Sequence, residues 1–389
     1  MKNDNLTLGS LFDGSGGFPM GGLLAGITPV WASEIEPFAV RVTSKRLPWM
    51  RHYGDISTIS GAELEPVDII TFGSPCQDMS IAGKRSGLDG SRSSLFYEAI
   101  RIIKEMRCAT NGKYPRYCVW ENVPGAFSSN GGRDFQSVLE TVIGVKEADA
   151  QVPPPGKDGW PYADLYMGDG WSLAYRVFDA QYWGVPQRRR RIYLVADFRG
   201  QRAGEILLKP EGLRRISAQS GTQGQETARC AKNSVGTAIG GVDRYNQSFL
   251  PGLAQTLRAP GGGDCTPTVL APVGKEKTVA VPVHYIVRRL TPTECARLQG
   301  FPDLWGYLDK KESFTDEEYK FWLEVRNTYA RINNKAVKDY TKAQMLSWYN
   351  KLHSDSAEYK MWGNGIALPN ALYVMQGIAA EAEIPINLF

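Results

Sequence analysis

Leu6-Thr7-Leu8-Gly9-Ser10-Leu11-Phe12 runs directly into Asp13-Gly14-Ser15-Gly16-Gly17-Phe18, and Gly21-Gly22 follow a few residues later. The first seven residues are a short apolar run of strand type, and the stretch after the glycines is helical in character. Strand, glycine turn and helix in that order make the nucleotide-binding turn of a doubly wound α/β fold. Glycines let the backbone approach a ligand closely, and the following helix N-terminus favours polar or negative groups. The GxGG run alone is a weak motif, and its value rises with what comes next. Val30-Trp31-Ala32-Ser33 reads as a second strand ending in Glu34, twenty residues after Gly14. An acidic side chain there is placed to bond ribose hydroxyls; a solvated glutamate is the plainer alternative. Gly54-Asp55-Ile56 offers an acidic acceptor and an apolar contact for an adenine ring. Ser60-Gly61-Ala62-Glu63 fits a capping box that starts the next helix. Residues 6–72 then read as β-α-β-α-β with a nucleoside-sized site along one edge.

The last strand of that unit, Val67-Asp68-Ile69-Ile70-Thr71-Phe72, ends in Gly73-Ser74-Pro75-Cys76-Gln77. Cys76 therefore sits at the sheet rim, where open α/β folds bind ligands. Position alone fits a small buried cysteine as well as a nucleophile. Immediately beyond lies Gly83-Lys84-Arg85-Ser86-Gly87-Leu88-Asp89-Gly90-Ser91-Arg92, a glycine-rich cationic loop suited to closing over a polyanion or substrate. A further strand, Tyr117-Cys118-Val119-Trp120, leads into Glu121-Asn122-Val123-Pro124-Gly125, so a carboxyl again stands at a strand's C-terminal end. A helix is expected from about residue 135. The run Gln187-Arg188-Arg189-Arg190-Arg191 feeds into the strand Ile192-Tyr193-Leu194-Val195. Alternate strand residues share a face, so Arg189 and Arg191 should point inward together, in preference to a targeting signal or a solvated charge run.

The 389 residues are 42% hydrophobic and 22% charged, as in a soluble globular protein with one large domain or two ordinary ones. No basic-then-apolar leader stands at Met1 and no apolar run reaches membrane length, so the expectation is an intracellular protein with no membrane partner. Six scattered cysteines and three histidines argue against a disulfide framework, a zinc site and Cys–His hydrolase chemistry. No metal is expected. The net charge of +4 is unevenly spread: residues 199–283 hold 11 Lys+Arg against 6 Asp+Glu, with 13 glycines. Such a segment suits a phosphate backbone, though many solvated loops look alike. It also breaks the α/β rhythm and reads as a second, irregular β-type domain. Within it, Gln255-Thr256-Leu257-Arg258-Ala259-Pro260-Gly261-Gly262-Gly263-Asp264 has the form of a strand and a recognition loop.

The first style returns at Arg288. Leu290-Thr291-Pro292-Thr293-Glu294 is a capping box with proline at the first helical position, and that helix should end before Gly300-Phe301-Pro302. Two helical patterns fill residues 315–352. Trp322, Val325, Tyr329 and Ile332 share helical spacing, as do Met345, Trp348, Tyr349 and Leu352 after a capping box at Thr341. Both patterns read as packing surfaces and not as a cofactor site. Trp362-Gly363-Asn364-Gly365-Ile366-Ala367 is expected to open a final helix ending near Gly377.

In this order the motifs resemble the cytosine-specific, carbon-5 DNA methyltransferase family over almost the whole chain. Residues 12–17 match its S-adenosylmethionine loop. Glu34 matches the ribose ligand and Asp55-Ile56 the adenine contacts. Pro75-Cys76-Gln77 matches the catalytic motif and Glu121-Asn122-Val123 the base-activating motif. Gln187-x-Arg189-x-Arg191 matches the arginine motif. Arg289-Leu290-Thr291 through Gln299-Gly300-Phe301-Pro302 matches the penultimate motif, and Gly363-Asn364 matches the last. Three departures stand out. The last motif reads Gly-Asn-Gly-Ile where Gly-Asn-Ala/Ser-Val is usual. The link between the last two motifs is long, so about 307–356 looks like an insertion. Ile35 stands where some members carry an aromatic adenine contact.

The resemblance implies an α/β fold: a Rossmann-like S-adenosylmethionine-dependent methyltransferase sheet with a smaller, irregular β-rich target-recognition domain. The catalytic domain would be 1–198 and 286–389, with residues 199–285 recognising the target. It implies Cys76, Glu121, Arg189 and Arg191 as catalytic residues. Cys76 would attack carbon 6, Glu121 would bond ring nitrogen 3 and the exocyclic amine, Arg189 would contact the base carbonyl and Arg191 would support the site, for instance by pairing with Glu121. Phe12, Gly14, Gly16, Gly17, Glu34, Ile35, Asp55, Ile56, Pro75 and Asn364 would hold S-adenosylmethionine. Gln77, Ser80, Lys84, Arg85, Arg92, Thr256, Arg258 and Gly262 would contact double-stranded DNA. The implied protein is a monomer, bacterial or phage-encoded, cytoplasmic and nucleoid-associated, with a cognate restriction endonuclease acting independently if there is one. The same chemistry on tRNA is the nearest alternative. A dinucleotide-dependent oxidoreductase leaves Cys76, Glu121 and the arginines unexplained, and a silent DNA-binding regulator would have lost Cys76 or Glu121.

Overall fold

A computed structural model of the chain describes residues 5–74, 95–208, 240–243, 248–251, 268–273 and 284–382. Eight strands make the main sheet: β1 (Thr7–Leu11), β2 (Thr28–Ser33), β3 (Arg51–Tyr53), β4 (Ile69–Phe72), β5 (Tyr117–Asn122), β6 (Ala163–Gly168), β7 (Trp171–Asp179) and β8 (Arg190–Asp197). Their order is β3-β2-β1-β4-β5-β8-β7-β6. The first five run parallel. From β5 onward every pairing is antiparallel.

The sequence pattern explains the layering. The central strands are buried on both faces, as parallel strands covered by helices must be. Along β5, Tyr117 and Val119 face one apolar layer and Cys118 and Trp120 the other. One layer is closed by α3 (Leu95–Ala109) and α4 (Arg133–Ile143), through Phe96, Ile103 and Leu139. The other is closed by α1 (Gly17–Leu24), α5 (Ala203–Leu208) and the helix Leu368–Ala382, through Phe18, Ile206 and Val374. The chain thus stays with the main sheet through Leu208, past the expected boundary at 198. Four further strands, β9 (Gly240–Asp243), β10 (Ser248–Pro251), β11 (Thr268–Val273) and β12 (His284–Arg289), form a separate antiparallel sheet in the order β10-β9-β11-β12.

Two local expectations are corrected. Residues 60–63 make a turn, not a helix, closed by Glu63 N donating to Ser60 O at 3.1 Å. Gly61 N donates to Glu105 Oε2 at 2.7 Å, and a Cβ on Gly61 would meet Ile102 O at 2.3 Å. That contact holds the backbone of the turn against α3, and Glu63 N, the donor a capping box would use, goes to Ser60 O instead of the Ser60 hydroxyl. The second helix of the unit is α2 (Pro37–Arg46), and β3 adds a strand, so residues 6–72 are β-α-β-α-β-β. Gly363 and Asn364 close the helix Asp355–Asn364 and do not open the last one. The last helix starts at Leu368, with Pro369 in its first turn, and continues through Gly377 to Ala382. Gly377 lets that helix approach α5: a Cβ there would lie 3.0 Å from Ile206 O.

Candidate active site

Strand order reverses between β1 and β4, and ligands of open α/β sheets bind outside the strand ends at such a point. A cavity of about 720 Å³ opens there. Its walls include Phe12 and Gly14 after β1, Glu34 after β2, Gly73 and Ser74 after β4, and Glu121 and Asn122 of β5. β8 runs antiparallel, so its N-terminal end comes to the same rim and delivers Arg189 and Arg191.

One end is made of glycine turns and fixed carboxylates. Phe12 has φ 56°, a left-handed conformation that costs a non-glycine residue on the order of 1 kcal/mol. It turns the chain into Gly14 and Gly16, both at positive φ. A Cβ on Gly17 would meet Ile366 at 2.4 Å, so only glycine lets the residues after Asn364 close on this loop. The Glu34 carboxylate accepts from Gly14 N at 2.7 Å, Ile35 N at 2.7 Å and Glu36 N at 2.8 Å. A carboxylate has about four acceptor sites, so capacity for a hydroxyl donor is left. Burial raises the Glu34 carboxyl above its usual range, and those backbone donors oppose the rise. Asp55 accepts from Ser57 N at 3.0 Å, which fixes its carboxylate beside Ile56. Beneath the loop, burial and the neighbouring Glu34 push Asp13 up to about 8, against a hydrogen bond from Ser10 Oγ at 2.7 Å. Asp13 Oδ2 and Ser15 Oγ are buried without a hydrogen-bond partner among the described residues. Fixed carboxylates, a glycine cradle and unused buried polar atoms fit a nucleoside-bearing methyl donor.

The other end is a compact charge cluster. Glu121 and Arg189 are buried, whereas Arg188 and Arg190 are exposed, so the alternation read from the sequence is present. Arg191 Nε lies 3.0 Å from Glu121 Oε1. Burial raises the Glu121 carboxyl, and the charges of Arg191 and Arg189 pull it back. Burial and the adjacent Arg191 lower the Arg189 guanidinium to about 9, opposed by Glu121. Arg189 Nη2 donates to the carbonyls of Gly365 and, at 3.4 Å, Gly363. Arg189 thus reaches the backbone around Asn364, and Arg191 pairs with Glu121, as expected of the residue that supports the site. Asn122 Nδ2 donates to Ser74 O at 3.0 Å, and a Cβ on Gly73 would lie 3.4 Å from Glu121 Oε2. The strand that leads to Cys76 therefore ends against Glu121.

Phe12, Gly14, Glu34, Ile35, Asp55, Ile56, Glu121, Arg189, Arg191 and Asn364 all line the one cavity. Gly16 and Gly17 shape the loop behind it. Pro75, Cys76, Gln77, Ser80, Lys84, Arg85, Arg92, Thr256, Arg258 and Gly262 lie outside the described residues. Tyr329, Trp348 and Leu352, expected only to pack, line the cavity as well, as does Lys360. Helical spacing alone could not separate these roles, because a packed face and a cavity wall have the same period. Among the described residues no group of His, Cys, Asp and Glu could hold a metal ion, and no helix is long and apolar enough to cross a membrane.

The fold defines the class. The chain superposes on the S. pombe Dnmt2 methyltransferase with a TM-score of 0.58 and 16% identity, covering 99% of this chain and 100% of that one. At that identity the likeness is one of fold, that of a methyltransferase. The family follows from sequence: the model for C-5 cytosine-specific DNA methylase matches residues 6–145 and 209–321. The chain belongs to this family of DNA methyltransferases. It is 27% identical over 450 residues to a DNA N-6-adenine-methyltransferase of Escherichia phage P1, covering 88% of this chain and 57% of that protein. It is 28% identical over 359 residues to the type II methyltransferase M2.BsuMI of Bacillus subtilis (strain 168), covering 92% of this chain and 81% of the relative.

Proposed function

We propose that the protein transfers a methyl group from S-adenosylmethionine to carbon 5 of a cytosine flipped out of a specific duplex DNA sequence. The observation that carries this reading is one cavity with Glu34 and Asp55 at one end and the Glu121–Arg191 pair at the other, next to the strand that leads to Pro75-Cys76-Gln77. When bound, S-adenosylmethionine supplies an electrophilic methyl group. Cys76 attacks carbon 6, forming a carbon–sulfur bond and moving an electron pair toward carbon 5. Glu121, its carboxyl raised by burial, holds a proton at ring nitrogen 3 and accepts from the exocyclic amine, stabilising the ring as charge develops. Arg191 fixes the Glu121 carboxyl, and Arg189, at the same rim, holds the residues around Asn364 against the site and contributes positive charge toward the base carbonyl. After methyl transfer the carbon 5 proton leaves, and the electron pair returns to expel Cys76. A base inside a duplex cannot reach Glu121, so flipping is required, at a cost of a few kcal/mol. Residues 77–95 and the 209–283 segment supply phosphate and base contacts. The enzyme acts as a cytoplasmic monomer, with any partner restriction endonuclease working independently.

The family match favours DNA over tRNA as substrate. Methylation of adenine N6, the activity in the phage relative's name, needs no thiolate adduct because the amine is itself the nucleophile, and it would leave Cys76 without a role. The test is methylation of a defined genome with labelled S-adenosylmethionine, read by bisulfite sequencing and nucleoside analysis, with tRNA in parallel. We expect 5-methylcytosine in one DNA sequence context and none after Cys76→Ala. N6-methyladenine as the product, label in tRNA alone, or full activity of Cys76→Ala overturns the assignment.

A further inference from the structure

The 307–356 insertion is built into the molecule through a buried cation. Arg41 of α2 is 1% exposed. Its guanidinium donates to Tyr349 O and Asp309 O, each at 2.8 Å, and lies 4.0 Å from the Tyr349 ring centroid. Both acceptors belong to the insertion, and a charge that deep holds its position only where such acceptors are fixed. The helix Asp316–Ile332 is seated on the other side: a Cβ on Gly54 would lie 3.4 Å from Thr328. Gly54 precedes Asp55, and Thr328 precedes Tyr329; the second residue of each pair lines the cavity. Trp348, the neighbour of Tyr349, lines the cavity together with Pro37 and Phe38 of α2. After the insertion, Lys360 Nζ pairs with Glu36 Oε1 at 2.5 Å, beside Glu34. The aromatic residues of this wall are therefore held against the end of the cavity that carries Glu34, Ile35 and Asp55.

We propose that the insertion is part of the cofactor site, with Tyr329 and Trp348 supplying the aromatic surface for the adenine ring that Ile35 does not. This rests on the cavity holding S-adenosylmethionine. An aromatic face contributes to nucleobase binding through stacking, which Ile35 cannot provide. Tyr329 and Trp348 are half-buried, so each keeps surface to offer a ligand. The insertion thus compensates within one chain for the departure at position 35.

The test is calorimetric binding of S-adenosylmethionine and S-adenosylhomocysteine to the full chain. Tyr329→Ala and Trp348→Ala are each expected to weaken both ligands about tenfold, with Trp348→Phe near the parent. Glu34→Ala is the control for the cofactor site itself. If Glu34→Ala loses affinity while both aromatic variants bind as the parent does, the wall assignment is wrong and the cofactor reading stands. If none of the three loses affinity, both fall. A measurement on the unaltered fold covers variants that do not fold. In protein labelled with 5-fluorotryptophan, the fluorine resonance assigned through Trp348→Phe should shift on adding S-adenosylhomocysteine; an unmoved resonance overturns the proposal.

Discussion

The two ends of the cavity are made differently. The end proposed to face the base draws on a few residues at the paired ends of β5 and β8, whose carboxyl and guanidinium groups hold one another. The end proposed to hold the nucleoside combines backbone loops after β1 and β2 with helices more than 250 residues away in sequence. The charged end is preorganised for charge that develops during reaction and should act on rate. The nucleoside end places fixed acceptors and apolar surface around a neutral group and should act on affinity.

That division can be broken at either end. The largest effect is expected from Glu121→Gln: kcat should drop about 10³-fold while the S-adenosylmethionine Kd stays within about twofold, read by single-turnover kinetics and calorimetry. An equal loss in both would merge the two ends. Next is Arg41→Met, which removes the donor shared by Tyr349 O and Asp309 O from a buried position and should destabilise the chain by about 2 kcal/mol, measured by denaturant unfolding. Glu34→Ala should raise the cofactor Kd by about thirtyfold with DNA affinity unchanged, measured by calorimetry and by filter binding.

The smallest effect is a pH slope. Asp13 is raised in the folded state to about 8, so from about pH 4 to 8 the unfolded chain has lost a proton that the folded chain keeps, and stability falls with rising pH. His52 is lowered by burial to about 4, so its contribution rises up to its ordinary value of 6.5 and offsets part of that slope. Between about pH 6.5 and 8 only Asp13 of this pair still acts. Asp13→Asn should therefore flatten the loss of thermal stability in that window, by on the order of 1 kcal/mol. An unchanged slope would remove Asp13 as its source.

How much of this was legible follows the reach of each interaction. Glu34 and the glycine loop were readable because spacing within one βαβ unit sets their geometry. The arginine alternation was readable because a strand has a period of two. The turn at Ser60 was not, because it depends on the backbone of Gly61 packing against Ile102 and Glu105 of a distant helix. The break after Asn364 was not, because it depends on the fit of Gly365 against Ser15, where a Cβ would approach Oγ to 2.8 Å. The roles of Tyr329 and Trp348 depend on where Arg41 anchors the insertion, which no periodicity encodes. The pairing of Arg191 with Glu121 was readable from the same alternation, whereas the hold of Arg189 on carbonyls of the last motif was not, because those carbonyls lie more than 170 residues away.

The grip of Arg189 on Gly363 and Gly365 also has a consequence for synthesis. As the chain leaves the ribosome, the strand that carries Arg189 is complete well before its acceptors have been translated. Until then two of the carbonyls it donates to do not exist, so the rim around Glu121 cannot reach its final form. Cofactor binding should therefore arise only in nascent chains long enough to fold the helix Asp355–Asn364 together with Gly365. Shorter chains, although they already carry Glu34 and Glu121, should not bind it.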